Sequence, residues 1–172
     1  MNTIKMAITL LLLSWHTCWA ATPLGDIDVK LEVTAQPRIE IEKPHGGWYD
    51  NIKLHNSPEN HAVYEVEVPV AVKLRRQEGY QISIKNPLIL TRQSDAFSAI
   101  EQTFSPAEVR WGNNRTNLRL LSAVPESFSV PPQATRHTTT DYVLQISAKA
   151  PAGDNTAGKY HGQLTLVFEV NS

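Results

Sequence analysis

Cysteine is all but missing from this chain. Cys18 is the only one in 172 residues, so no intrachain disulfide can form and cysteine ligands for a metal are absent. An excess of one charge is missing too. The chain carries 16 basic and 17 acidic residues, which argues against a nucleic-acid partner, since such proteins show a basic patch or stripe. Long apolar runs are lacking. The longest, Ala7 to Trp15, is broken by Thr9 and Ser14 and falls short of the about 20 apolar residues that a membrane-spanning helix needs. No internal repeat is visible.

What the first residues do contain is the layout of a secretory signal. Lys5 supplies positive charge, the Ala7–Trp15 run supplies the apolar centre, and Cys18-Trp19-Ala20 offers small residues at the two positions read by signal peptidase. Residues 1–20 are expected to be removed, leaving a mature chain that starts near Ala21. A lipid anchor on Cys18 is the alternative. It is disfavoured because Trp15-His16-Thr17 lacks the small or aliphatic residues that should precede a lipidated cysteine. Trimming Lys5 with the leader leaves a slight acidic excess. The exported chain would enter a compartment where disulfides persist, yet it is large enough to bury one adequate core without them.

Almost every later segment alternates with period two, the signature of strands. Ile27, Val29, Leu31, Val33 and Ala35 share one face, and Asp28, Lys30, Glu32 and Thr34 the other, until Pro37 ends the run. Arg38–Glu42 reads as a short strand, Pro44–Gly47 as a turn, and Trp48–Leu54 as a weak strand. A longer strand follows, with Val66, Val68, Val70, Val72 and Leu74 on one face. Pro69 lies on its other face and predicts a sheet edge or bulge, because proline has no N–H to donate. Tyr80, Ile82 and Ile84 alternate after the Glu78-Gly79 turn. An irregular stretch to Ser105 has room for a helical turn around Asp95–Ile100. Gly112-Asn113-Asn114 reads as a hairpin turn between Val109–Trp111 and Leu118–Leu120. Ser122–Thr140, rich in Pro, Ser and Thr, is expected to run over the surface. Two strong strands, around Tyr142–Ala148 and Leu164–Val170, close the chain. Seven or eight strands with turns between them point to an all-β, immunoglobulin-like sandwich of one domain.

Motifs with chemical potential are few. His45-Gly46-Gly47-Trp48 is similar to the stretch that supplies an oxyanion-hole N–H in some esterases, but the Gly-x-Ser-x-Gly elbow those enzymes need is absent. It reads as a glycine turn. The 6 histidines include no His-x-x-x-His pair that would place two ligands on one helix face. Asp26, Asp28 and Glu32, with Lys30 among them, read as a solvated strand face rather than a calcium loop; Glu65 and Glu67 read likewise. Lys73-Leu74-Arg75-Arg76 reads as a solvated strand end, with an anionic glycan or lipid headgroup as the alternative. Asn114-Arg115-Thr116 matches a glycosylation sequon, a pattern common by chance. The expectation is a non-enzyme with no catalytic residues, no metal and no cofactor.

The most distinctive segment is the first strand, which follows the cleavage site after a short spacer. It can be an ordinary strand of its own sandwich or a strand lent to a neighbour by β-augmentation. The run Val29-Lys30-Leu31-Glu32-Val33-Thr34-Ala35-Gln36-Pro37-Arg38-Ile39-Glu40-Ile41 resembles the mature N-terminus of alternate chaperone–usher pilins, the shaft subunits of colonization factor antigen fimbriae in enterotoxigenic enterobacteria. Tyr142–Ala148 and the Ala157-Gly158-Lys159-Tyr160-His161-Gly162 step before Leu164–Val170 resemble that family's last two strands, and Val109-Arg110-Trp111-Gly112 a hairpin within it. The likeness spans about a third of the mature chain and is vague between Trp48 and Ser105. The proline-rich Ser122–Thr140 segment and the charges near Glu65–Arg76 depart from it.

The resemblance implies an incomplete sandwich completed by a donor strand. It divides the chain into a signal peptide (1–20), a spacer with donor strand (21–36) and a pilin domain (37–172). Ile27, Val29, Leu31, Val33 and Ala35 would enter a neighbour's groove walled by Leu164, Leu166, Phe168 and Val170, with Pro37 as the hinge. Each buried Val, Leu or Ile is worth about 1.5–3 kcal/mol, so four contribute roughly 6–12 kcal/mol before ordering costs. That compares with the stability of a whole domain, about 5–15 kcal/mol. Implied partners are copies of the chain itself, a periplasmic chaperone and an outer-membrane usher; a tip adhesin is a further partner left open. The implied location is a cell-surface fimbrium reached through the periplasm. The competing reading is a secreted, monomeric β-sandwich binding module.

Overall fold

The computed structural model describes residues 24–75, 79–93, 102–130, 137–153 and 156–171. The signal-peptide expectation and the helical turn around Asp95–Ile100 fall outside these. All regular structure among the described residues is β. In chain order the strands are β1 (Ile27–Ala35), β2 (Ile39–Glu42), β3 (Ile52–Lys53), β4 (His55–Asn56), β5 (Val63–Arg75) and β6 (Gly79–Asn86). They continue with β7 (Thr91–Arg92), β8 (Glu108–Gly112), β9 (Arg119–Leu120), β10 (Glu126–Ser129), β11 (His137–Lys149) and β12 (Tyr160–Val170).

Two sheets face each other as an immunoglobulin-like sandwich. One runs β10-β6-β12-β1-β3 with β7 against β12; the other runs β2-β5-β11-β8-β9 with β4 against β5. The alternating side chains form the layer between them. Val68, Val70, Val72 and Leu74 from β5, Leu144 and Ile146 from β11, and Leu164, Leu166 and Phe168 from β12 are all buried. Aromatic rings fill the centre: Trp111 stacks on Tyr142 at 5.1 Å, and both Tyr80 and Trp111 contact Phe168. The Trp111 indole N–H donates to the Tyr80 hydroxyl at 2.8 Å, so the polar atoms of this apolar centre satisfy each other. Burial, with Tyr142 beside it, pushes the Tyr80 hydroxyl pKa far above its ordinary value.

Pro69 sits where its missing N–H does no harm. On its outer side β4 pairs with Tyr64–Glu65 and β2 with Ala71–Leu74, so among the described residues no strand flanks Pro69 there. The Tyr49 hydroxyl donates to its carbonyl at 2.8 Å. Gly112 closes the β8–β9 hairpin, and Asn114 braces the turn through its side-chain oxygen, which accepts from the Thr116 N–H and hydroxyl.

Two expectations need correction. Ser122–Thr140 is not simply a surface run. Glu126–Ser129 pairs with β6, Phe128 stacks on Tyr80 with centroids 5.7 Å apart, and Val130 is buried. Pro125 precedes this short strand instead of interrupting it, and at a sheet edge proline punctuates a strand without breaking a ladder. His137–Thr140 already belong to β11, paired with Arg75–Val72, as the β-branched threonines permit. In the other direction, Trp48–Leu54 is a strand only at Ile52–Lys53. Trp48 and Tyr49 spend their side-chain donors on β1 and β5 from a loop.

Candidate functional site: the seat of the first strand

β1 lies inside its own chain's sandwich, between β12 and β3. It runs parallel to β12 over its whole length, with Ile27 level with Tyr160, Leu31 with Leu164, Val33 with Leu166 and Ala35 with Phe168. Ile27, Val29 and Leu31 are 1%, 0% and 3% exposed, Val33 is half-buried, and Ala35 has emerged into solvent. Leu164, Leu166 and Phe168 on the facing strand are buried, and Val170 is half-buried. The outward face of β1 is polar: Lys30 and Glu32 pair at 2.7 Å, and Asp26 reaches Lys53 at 3.5 Å. Such exposed pairs contribute little to stability.

The tether fixes the direction. Only Gln36, Pro37 and Arg38 join β1 to β2, and four Cα steps reach at most about 14 Å. A nine-residue strand is about 26 Å long, so a reversed β1 in the same seat would leave Ala35 beyond reach of Ile39. The join is a tight turn with Pro37 at its second position. The Ile39 N–H donates to the Gln36 carbonyl at 2.9 Å, and the Gln36 N–H to the Phe168 carbonyl at 3.2 Å. Proline's fixed φ suits that position.

Both glycines of the Gly158-to-Gly162 step make room around this seat. Gly162 stands level with Val29, and a Cβ there would lie 2.6 Å from the Ile89 carbonyl oxygen and 2.7 Å from Leu88 Cδ1. Gly158 donates its N–H to the Leu24 carbonyl. Leu24 is itself buried, at 7% exposure, and is an apolar contact of the arm that the period-two reading omits. It lies at odd spacing from Ile27, and only because Gly25 takes φ 112° can both residues turn inward. Tyr160, at the start of β12, donates its hydroxyl to the Thr156 carbonyl at 2.6 Å, and burial raises its pKa.

Trp48 is a second residue the sequence reading passed over. The odd-numbered residues of β1 turn their backbone groups toward β3, where the Leu54 N–H donates to the Ile27 carbonyl at 3.1 Å. β3 pairs only with Asp28 and Val29. The next carbonyl along, that of Leu31, accepts instead from the Trp48 indole N–H at 3.1 Å. The His45-Gly46-Gly47 motif is the turn that delivers Trp48. Gly46 and Gly47 have φ of 92° and 79°, and the Lys43 N–H donates to the Gly47 carbonyl at 2.8 Å.

Other candidate clusters do not converge. Lys73 pairs with Glu42, and Arg75 with Glu40, so the basic strand end is neutralised by β2; Arg76 is outside the described residues. His61 and Asn56 are joined at 2.8 Å on the surface. Among the described residues no group of three or more His, Cys, Asp or Glu is placed to hold a metal ion, and no helix is long and apolar enough to cross a membrane.

A strand seated along the last strand of a disulfide-free sandwich, joined to the rest by a short turn, is the arrangement to set against known families. The family model of CS1 type fimbrial major subunits matches residues 25–169. The chain belongs to that family. The match opens at Gly25 and so takes in all of β1 together with nearly all of β12. No curated protein matches the chain. Membership makes the chain a structural pilin, a unit that joins copies of itself into a surface fibre, in a family that is not one of enzymes.

Proposed function

We propose that this fimbrial subunit polymerises by strand exchange, each copy withdrawing β1 from its own sandwich and lending it to the next. The observation that carries the reading is the seat of β1. Its apolar face fits the groove beside β12, while covalently it hangs on residues 36–38 alone. A neighbour's arm carries the same Ile27, Val29, Leu31, Val33 and Ala35, and the three-residue tether does not restrict how it enters. Leu164, Leu166, Phe168 and Val170 form one wall of the acceptor groove, and Pro37 is the hinge between arm and body. An empty groove would expose an apolar trough and a bare sheet edge, an aggregation hazard. A copy whose arm is withdrawn therefore calls for a periplasmic chaperone that covers the groove, and an outer-membrane usher would hand subunits on. Residues 1–20 are the signal peptide for that export, residues 21–36 the spacer and donor strand, and residues 37–172 the acceptor domain. The finished fibre supports adhesion.

The seat of β1 in its own sheet also suits a monomeric secreted binding module, and membership among fimbrial major subunits favours exchange. Unheated gels and size-exclusion of the exported chain, with and without residues 21–36, separate the two. Exchange predicts a ladder of multimers that collapses on heating and is lost with the arm. Stable monomers in both cases would overturn it. If the truncated chain unfolds while the full chain stays monomeric, β1 is an ordinary strand and the binding module is the better account.

A further inference from the structure

The closed monomer carries a specific fastening on its arm. β1 has β12 along one edge for its full length but β3 along the other only at Asp28 and Val29. Beyond Val29 no strand pairs with that second edge among the described residues, and the Leu31 carbonyl takes the Trp48 indole N–H. Trp48 is half-buried, packs against the core, and meets Tyr49 edge-on at 5.6 Å. Tyr49 is in turn tied to the opposite sheet through the Pro69 carbonyl, and Lys43 lies over its ring at 4.8 Å. The indole is thus braced by Tyr49 and the core on a loop that two left-handed glycines shape. A side chain here does the work of a missing strand. Unlike a strand, one rotamer change can undo it.

We propose that Trp48 is the latch that holds the subunit's own arm in the closed state, and that its release is a step in arm exchange. The inference rests on the exchange reading above and adds the residue that sets the rate. Trp48 is a positioning residue, acting on the arm's backbone, so its effect is independent of the apolar side chains that fill the groove. The arm's inner half, Leu24 to Val29, stays held by Gly158, Tyr64 and β3. The turn end is pinned to β12 as well, where the Gln36 N–H donates to the Phe168 carbonyl and the Gln36 side-chain oxygen accepts from the Val170 N–H, so opening starts between these two holds, at Leu31.

The test uses the exported full-length chain, isolated as monomer, and a fluorescent synthetic peptide of residues 21–36 as the incoming arm. Trp48→Phe keeps a ring and removes the N–H. It should take up the peptide about fivefold faster than wild type, the scale of one net hydrogen bond. Gly47→Ala should act in the same direction by a different route: a Cβ there meets nothing within 4 Å, but φ of 79° strains any residue other than glycine and displaces the loop. Hydrogen exchange supplies the readout that general loosening would not reproduce. In both variants protection should fall at β1 amides and hold at β5 and β11. Equal uptake rates in wild type and Trp48→Phe overturn the latch while leaving exchange standing, because the peptide still enters. Equal loss of protection across β1, β5 and β11 also overturns it. If no chain takes up peptide at all, the latch and the exchange reading fall together.

Discussion

Leu31 is the point where a single substitution should separate giving an arm from receiving one. Its side chain is 3% exposed and level with Leu164 on the groove wall. Leu31→Asp removes an apolar burial worth about 2–3 kcal/mol and puts a carboxylate among buried apolar side chains, which adds several kcal/mol in a dry site. A combined penalty of at least about 4 kcal/mol weakens arm docking roughly a thousandfold, since each 1.4 kcal/mol is a factor of ten. The groove itself is untouched, so the variant still accepts a wild-type arm. In unheated gels and electron micrographs Leu31→Asp alone should form no fibres, and mixed with wild type it should shorten them by terminating growth. Lys30→Asp, on the exposed face one residue away, exchanges a surface ion pair with Glu32 for a solvent-screened like-charge contact and should polymerise normally.

The sign of the pH effect sharpens the test. Burial raises an aspartate's pKa above its free value of about 3.9 by disfavouring the charged form. The charge penalty is therefore full above the raised pKa and fades as pH falls through it. Leu31→Asp should recover part of its docking on mild acidification, whereas the uncharged Leu31→Asn should show no such recovery. Long fibres from Leu31→Asp alone at neutral pH would refute the donor assignment of β1.

Gly25→Ala should free the arm without changing its apolar content. With φ of 112° and the Gly158 carbonyl oxygen where a Cβ would go, the cost is about 2 kcal/mol, read as protease sensitivity confined to residues 24–36. Trp111→Phe removes the indole N–H that the buried Tyr80 hydroxyl accepts at 2.8 Å and leaves a smaller ring in the packed centre, which should cost about 2–4 kcal/mol in urea unfolding, with the denaturant slope unchanged. Tyr80, Tyr142 and Tyr160 all have raised pKa values, caused first by burial. Folding thus favours their neutral forms. Their contribution is complete below the unfolded-state value of about 10 and declines as pH rises past it. Denaturation midpoints should accordingly be flat from neutral pH to about 10 and fall steeply above, and a flat profile to pH 12 would contradict the buried aromatic centre.

Local pattern carried a large part of this protein. Strict alternation from Ile27 to Ala35, and alternation broken only by Val167 from Leu164 to Val170, marks strands with one apolar face, because side chains on a pleat alternate whatever they pack against. The lone Cys18, the near-balanced charge and the Gly158-to-Gly162 step narrowed the class further. Glycine turns such as Gly46-Gly47 were legible because few other residues accept positive φ.

Periodicity says which side chains share a face but not which strand lies alongside, or in which direction. That β1 runs parallel to β12 follows from the three-residue reach between Ala35 and Ile39, a length that has consequences only once β2 is placed in the opposite sheet. Leu24 escaped notice because Gly25 shifts the phase of the alternation, and β10 because Pro125 and the surrounding serines hid a strand that exists only by pairing with β6. Trp48 could be seen in the chain as an aromatic beside a turn, and nothing local assigned its N–H. Its bond to the Leu31 carbonyl joins residues 17 apart in sequence. It arises because β3 is too short to cover the arm's edge, and only the assembled sandwich creates that edge.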